Sequence, residues 1–343
     1  MSNPIKVGII GTGIFAFRHL RAYTAIGSDK FQIVACCNRS RDKAEKFAKE
    51  AGIPSENIYT DPKELIADPN VELVDTILPI QFNKEIVEAA ISGGKHIIFE
   101  KPIAANLDDA RDIIKAAHNA KTVVALAENW SYHPKIQAVA EFVRNGGIGE
   151  IINFTYNSAR PYNINSPYHS TKWRQNPEHP GGYISDGVVH DMAHLIPILG
   201  RFESVSAFTT ETYKIHVVED TLATSIRLAN GGIGVATFTF CSAGIKQFRL
   251  EVHGTKGTIR VINDNQIELL DNNGESVDTQ QFERPDSLED VEGEMDNIYQ
   301  AIRQGGKLGV TLDEGFHHLA FIVAALESVK TERVTKIPTV NKE

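Results

Sequence analysis

Ile5-Lys6-Val7-Gly8-Ile9-Ile10 runs straight into Gly11-Thr12-Gly13-Ile14-Phe15-Ala16, and this junction decides the fold. The first six residues are rich in Val and Ile and read as a strand, while residues 15–26 carry the pattern of an amphipathic helix. Between them Gly11 supplies the tight turn, Gly13 lets the backbone approach a pyrophosphate, and Ala16 is small enough for close helix–strand packing. Backbone N–H groups at the helix start, around Ile14 and Phe15, then face the anion. A glycine-rich turn that holds no ligand is the competing reading.

Outward from this junction the same alternation continues. Residues 32–37, 73–78, 96–99 and 122–126 read as further strands, with helical patterns at 41–51, 83–91 and 107–119. Such alternation implies parallel pairing with helices on both faces, a doubly wound Rossmann sheet. The style changes after Asn129: a helix at 134–145 is closed by Gly146-Gly147, and longer alternating runs follow at 151–156, 204–211, 221–228, 234–240, 248–253 and 258–261. These suit an antiparallel sheet with one covered face. The expected organisation is therefore an α/β domain over residues 1–128 and an α+β domain over 129–343, whose closing helix, 313–330, is free to pack back on the first domain. The stretch 160–180 is rich in Pro, Asn, His and Ser and reads as a long functional or mobile loop.

Composition bounds the function. With 343 residues and 42% hydrophobic content the chain can build a large core and two domains. Thirty-five basic against 44 acidic residues give a net charge of -9 without a basic cluster, which disfavours nucleic acid and anionic membranes as partners. No apolar run approaches the roughly 18 residues that a spanning helix needs. Met1-Ser2-Asn3-Pro4 leads directly into the first strand, so a cytoplasmic location is expected. Cys36, Cys37 and Cys241 lack metal-site spacing and read as buried, reduced thiols.

Four places carry candidate chemistry. The second strand ends in Asn38-Arg39-Ser40-Arg41 with no carboxylate to meet ribose hydroxyls. Arg39 and the Ser40 hydroxyl can instead bind a 2′-phosphate, so NADP is preferred over NAD; the alternative is that Arg39 and Arg41 merely open a solvated helix. Glu100-Lys101-Pro102 closes the fourth strand-like run, at the sheet edge where ligands of such folds gather, and a lysine there can steady an alkoxide. Taken alone, a Lys-Pro after a strand is equally a structural turn. Asp186 and His190 stand four apart in a helical pattern and share a face: His190 can exchange a hydroxyl proton, and Asp186 can bind a substrate hydroxyl or orient the imidazole. Asp186 as a helix cap and His190 as a core residue is the bland alternative. His190 and His194 also stand four apart, but no third ligand is evident nearby and no metal is expected. His317-His318 reads as surface or packing. In the long loop, Trp173 offers a face for a sugar ring and Arg174 donors for hydroxyls, or Trp173 simply anchors the loop. Tyr156, Arg160 and Tyr162 are further pocket candidates.

Jointly, Gly8 to Ala16, Glu100-Lys101-Pro102, Gly182 to His190, Gly254-Thr255-Lys256-Gly257 and Asp313-Glu314-Gly315 resemble the glucose–fructose oxidoreductase and inositol dehydrogenase family, Gfo/Idh/MocA, over essentially the full chain. The resemblance implies a C-terminal domain built on a large, open, mostly antiparallel sheet that mediates homodimers or homotetramers. It implies that Lys101 assists catalysis, that His190 is the acid/base, that Asp186 contacts substrate, and that nicotinamide sits over a pocket between domains. Family substrates are mostly sugars, inositols and their keto derivatives. Ala193 stands where many members carry a further Asp, and Trp130-Ser131-Tyr132-His133-Pro134 replaces their Arg-Tyr or Arg-Phe pair, so the pocket wall differs.

The expected function is reversible hydride transfer between nicotinamide and a hydroxyl or carbonyl carbon of a small carbohydrate or polyol. The alternative is a non-catalytic dinucleotide-binding sugar sensor of the same fold.

Overall fold

A computed structural model of the chain describes residues 3–161, 165–168, 171–213, 219–284 and 287–341. In the N-terminal part, strands β1 (Ile5–Ile10), β2 (Phe31–Cys37), β3 (Ile58–Tyr59), β4 (Leu73–Thr76), β5 (His96–Glu100) and β6 (Val124–Ala127) alternate with helices α1 (Ala16–Ile26), α2 (Arg41–Ala51), α3 (Pro62–Ala67), α4 (Asn83–Ser92) and α5 (Leu107–His118). All six strands run parallel in the order β3-β2-β1-β4-β5-β6, the doubly wound Rossmann order whose direction of winding reverses between β1 and β4. The strands are nearly continuous runs of buried Val, Ile, Leu and Cys because helices cover both faces. Helix ends follow local chemistry: Asp61 and Asn106 accept N–H bonds at the starts of α3 and α5, and α2 stops at Gly52 in the left-handed conformation. Two short elements, β3 and α3, escape a periodicity reading because neither is long enough to show a period.

The second sheet comprises β7 (Ile151–Pro161), β8 (Phe202–Thr210), β9 (Thr221–Leu228), β10 (Ile233–Ser242), β11 (Gln247–Gly254), β12 (Gly257–Ile262), β13 (Gln266–Asp271), β14 (Ser276–Val277) and β15 (Thr335–Lys336). Its order is β14-β13-β12-β11-β7-β10-β9-β8-β15, antiparallel throughout except for the β7–β10 pair. Helices α6 (Pro134–Arg144), α7 (Lys172–Gln175) and α8 (Gly182–Leu199) lie in the same part of the chain, and α9 (Asp290–Gln304) and α10 (Leu312–Thr331) follow the sheet's main strands. Phe321 of α10 packs edge-on against Phe202 and Phe238, which closes the inner face of this sheet. His317 and His318 are both buried in α10, so they belong to packing and not to the surface.

The chain divides into two units, Met1–Tyr132 with Leu288–Phe316, and His133–Ser287 with His317–Glu343. The expected boundary near residue 128 falls just before the first crossing, and Leu288–Phe316, expected in the second domain, groups with the first. The physical reason lies in α9, whose Val291, Met295 and Ile298 are buried in one core with Ile5, Tyr23 and Phe31. Lys30 Nζ, 2.6 Å from Asp296 Oδ1, and Arg303, ion-paired with Glu72, fasten the middle and the C-terminal end of that helix.

No helix among the described residues is long and apolar enough to cross a membrane. Cys36 and Cys37 are buried, and burial pushes their thiols up to about 11 and about 12, which keeps them protonated and unreactive. Cys241 is only half-buried.

Candidate active site

In the first unit the sequence candidates collect at the carboxyl edge of the parallel sheet. Gly11 follows β1, Asn38-Arg39-Ser40 follows β2, and Glu100-Lys101 closes β5. Gly11 has φ +94°, and a Cβ there would lie 2.4 Å from the Ile77 carbonyl oxygen, so glycine is required by both conformation and space. A Cβ on Gly13 would meet nothing within 4 Å, which leaves an open approach to the backbone. Phe15, the residue capping α1, makes no side-chain cap bond, while Ala16 is buried and Ile14 is exposed. Uncapped N–H groups beside open space suit a pyrophosphate, so the loop fits a dinucleotide.

The β2 end is ordered by Asn38, which donates from Nδ2 to Thr12 Oγ1 at 3.0 Å and accepts the Ser40 N–H at 3.0 Å. Arg39 and Ser40 are exposed, whereas the Arg41 guanidinium is engaged by the carbonyls of Ile58 and Ser55 and by Glu45. Arg41 therefore closes the structure behind the turn, and Arg39 is the arginine left for a ligand. At β5, Asn83 Nδ2 donates to the carbonyls of Glu100 at 2.8 Å and Pro102 at 3.0 Å, clamping the backbone on both sides of Lys101. The Lys101–Pro102 peptide is cis.

Beneath this edge lies a network that sequence reasoning did not single out. His19 Nδ1 is 2.8 Å from Asp75 Oδ2, its Nε2 is 3.2 Å from Glu100 Oε1, and the Tyr23 hydroxyl donates to Asp75 Oδ2 at 3.0 Å. The available signal was a charged residue inside the apolar run Leu73-Val74-Asp75-Thr76, since a buried carboxylate in a central strand requires a partner.

In the second unit, α8 carries Asp186 and His190. Its first residue is Gly182, so Asp186 sits inside the helix and is not its cap. Arg174 Nε donates to Asp186 Oδ2 at 2.8 Å, and the guanidinium lies 4.0 Å from the Trp173 ring centroid and 5.1 Å from that of Tyr168. Trp173 and Arg174 of α7 and Asp186 of α8 are thus brought together as a stacked ion pair, with His190 one turn farther along α8. Tyr156 and Arg160 go elsewhere. Both bind Asp191, Tyr156 through its hydroxyl at 2.6 Å and Arg160 through Nη2 at 3.0 Å to each carboxylate oxygen. Burial, then the Asp191 charge, pushes the Tyr156 hydroxyl well above its ordinary pKa. Arg160 is also held between the rings of Phe240 and Phe248, at 4.8 and 4.7 Å. Gly187 admits Phe240 to this stack, because a Cβ there would lie 2.4 Å from its ring. Tyr162 lies outside the described residues.

His194 stands between His133 and Asp264. Its Nε2 is 3.1 Å from His133 Nδ1 and its Nδ1 is 3.2 Å from Asp264 Oδ1. Burial alone would raise the Asp264 carboxyl, yet the His194 hydrogen bond and charge hold it below the usual range. Each partner meets a different ring nitrogen of His194. His133, His194 and Asp264 also offer one ligand atom each within 4.8 Å of one another, a grouping that could hold a metal ion, so His194 has the further ligands that its sequence neighbourhood did not show.

Comparison with known proteins gives two family matches. A model described as "Oxidoreductase family, NAD-binding Rossmann fold" matches residues 5–128, and its companion, "Oxidoreductase family, C-terminal alpha/beta domain", matches residues 140–338. An uncharacterized Saccharomyces cerevisiae protein, YMR315W, is 40% identical over 340 residues, covering 95% of this chain and 96% of that protein. The 1,5-anhydro-D-fructose reductase of Ensifer adhaerens is 28% identical over 354 residues, covering 97% and 98%. Among solved structures, an oxidoreductase of Thermotoga maritima superposes with a TM-score of 0.86 at 29% identity, covering 98% of this chain and 99% of that one.

Proposed function

The chain belongs to the Gfo/Idh/MocA oxidoreductase family, and from that premise we propose that it is an NAD(P)-dependent dehydrogenase or ketoreductase acting on a sugar, inositol or related polyol. The observation that carries the reading is the gathering of the Gly11–Gly13 loop, the Asn38-Arg39-Ser40 turn and the Glu100-Lys101 turn at one edge of a single parallel sheet.

Nicotinamide, when bound, supplies the carbon that accepts or gives the hydride. The backbone from Gly11 to Ala16 binds pyrophosphate, and Asn38, Arg39 and Ser40 take the adenosine ribose. Their lack of a carboxylate, with Arg39 exposed, supports NADP over NAD. Glu100 and Lys101 close the cofactor site, and the Lys101 ammonium steadies the developing alkoxide. His190 takes the hydroxyl proton in the oxidative direction and returns it in the reductive one. Asp186, held by Arg174, binds a substrate hydroxyl or orients His190, and Trp173 stacks on the apolar side of a sugar ring. Tyr156 and Arg160, the further pocket candidates, support α8 through Asp191.

Assembly as a homodimer or homotetramer through the outer face of the second sheet is part of the same reading. Phe208, Ile233 and Val235 are 78%, 53% and 47% exposed on that sheet, which is unusual for large apolar side chains.

The test is a panel of sugars, polyols and their keto forms with NAD(H) and NADP(H), headed by 1,5-anhydro-D-fructose after the Ensifer relative. Turnover is expected, and Lys101→Met or His190→Asn should lower kcat by on the order of 10² to 10⁴ with dinucleotide affinity retained. Tight dinucleotide binding without turnover across the panel would replace this reading with the sensor.

A further inference from the structure

Two carboxylates and one imidazole meet under the Glu100-Lys101 turn, and their charges decide what holds the turn in place. His19, Asp75 and Glu294 are fully buried, on α1, β4 and α9. His19 Nδ1 is hydrogen-bonded to Asp75 Oδ2, and Nε2 lies 3.2 Å from Glu100 Oε1, within ion-pair distance but not aligned as a hydrogen bond, so a doubly protonated ring would sit between two carboxylates. Burial alone would lower the His19 pKa, but Asp75 and then Glu100 raise it well above the ordinary value. Glu294 goes the other way: burial pushes its carboxyl well up, and Glu100, Glu128 and Asp75 add to the effect against the pull of His19. The raised His19 pKa favours an imidazolium between Asp75 and Glu100, burial favours the neutral form of Glu294 beside them, and the Tyr23 hydroxyl donates to Asp75 Oδ2.

We propose that His19 is a positioning residue for Lys101: by bridging Asp75 to Glu100 it fixes the carboxyl end of β5, from which the lysine leaves the sheet. The inference rests on the hydride-transfer reading above. Three restraints converge on the turn. Asn83 clamps the carbonyls of Glu100 and Pro102, the Lys101 N–H donates to the Ala127 carbonyl at 3.1 Å, and His19 holds the Glu100 side chain from the buried side. Asn83 and Ala127 fix backbone alone. Without the imidazolium, the Glu100 and Asp75 carboxylates, on adjacent strands, lose their shared cation and turn away or protonate. A displacement of about 1 Å at a catalytic group can cost on the order of 10² in rate.

The experiment compares wild type, His19→Gln, Lys101→Met and the double variant on the best panel substrate, with dinucleotide affinity measured by fluorescence. His19→Gln should lower kcat by about 10² while KM and dinucleotide affinity change little. The double variant should be no slower than Lys101→Met, since His19 acts through that lysine. A His19→Gln kcat close to wild type, or losses that multiply in the double variant, overturns the inference. Should His19→Gln not fold, Glu100→Leu removes the Nε2 partner while sparing the Asp75 bond, and, with dinucleotide affinity unchanged, the same two outcomes decide. Wild-type protein that turns over nothing on the panel sinks the parent reading instead, and amide hydrogen exchange then judges the bridge alone. Exchange at residues 100–104 should rise by about tenfold in His19→Gln without a rise at β10; unchanged exchange there overturns the inference.

Discussion

Arg174 and Asp186 form an ion pair, Nε to Oδ2 at 2.8 Å, in which both side chains are largely buried. A residue expected to meet substrate hydroxyls therefore already has a cationic partner from its own unit, and any substrate hydroxyl shares Asp186 with Arg174.

Breaking that pair on one side should be more damaging than removing it. Arg174→Ala removes the Nε partner of the largely buried Asp186 carboxylate and should cost about 2 to 5 kcal/mol. The paired replacement Arg174→Met with Asp186→Leu should recover much of that stability yet remain inactive. Denaturant melts of the three proteins check this, and a double variant no more stable than Arg174→Ala would contradict it.

Gly11 and Gly13 should respond differently to one added methyl group. Gly11→Ala forces a Cβ against the Ile77 carbonyl at positive φ and should lower Tm, at a cost of about 1 to 3 kcal/mol. Gly13→Ala meets open space and should melt like wild type while weakening dinucleotide binding about tenfold, or 1.4 kcal/mol. Melting curves with and without dinucleotide separate the two.

Arg39→Ala should reduce the preference for NADP over NAD by about tenfold or more, because it removes the exposed guanidinium at the β2 end. Arg41→Ala should change stability instead, since Arg41 is tied to backbone carbonyls. Ratios of kcat/KM for the two cofactors are the readout; an unchanged ratio in Arg39→Ala removes the basis for an NADP preference.

His317 makes stability fall with acid. Its Nε2 accepts the Phe202 N–H at 3.1 Å, and burial, then the nearby Arg201 charge, brings its pKa down from 6.5 to about 3. The folded ring stays neutral where the unfolded one protonates, so its contribution is complete above pH 6.5 and drains away as the pH falls toward 3. Between about pH 7 and 5 the wild type should lose about 2 kcal/mol more than His317→Gln, by urea denaturation. Equal losses would mean that the ring already carries its proton in the folded state.

The Rossmann half was legible because strand, glycine turn and helix are contiguous and strongly periodic, and β1, with α2 close behind, falls where the pattern puts it. The α9 segment was not, because its stripe of Val291, Met295 and Ile298 says that it is buried but not against which unit. The same limit applies to the site. Spacing places Asp186 and His190 on one helix face, but nothing local shows that Arg174 occupies the first or that Asp191 gathers Tyr156 and Arg160. His19 was missed for a related reason: its partners lie 56 and 81 residues away, at the ends of two other strands.

Because α9 completes a core whose other members precede residue 133, that core stays open while most of the chain is still being made. A ribosome that has released the first 132 residues has exposed Tyr23, Phe31 and their neighbours with no wall opposite them until Val291 and Met295 emerge. The nascent N-terminal half should therefore engage chaperones for most of synthesis, and a polypeptide truncated before α9 should aggregate where the full chain does not.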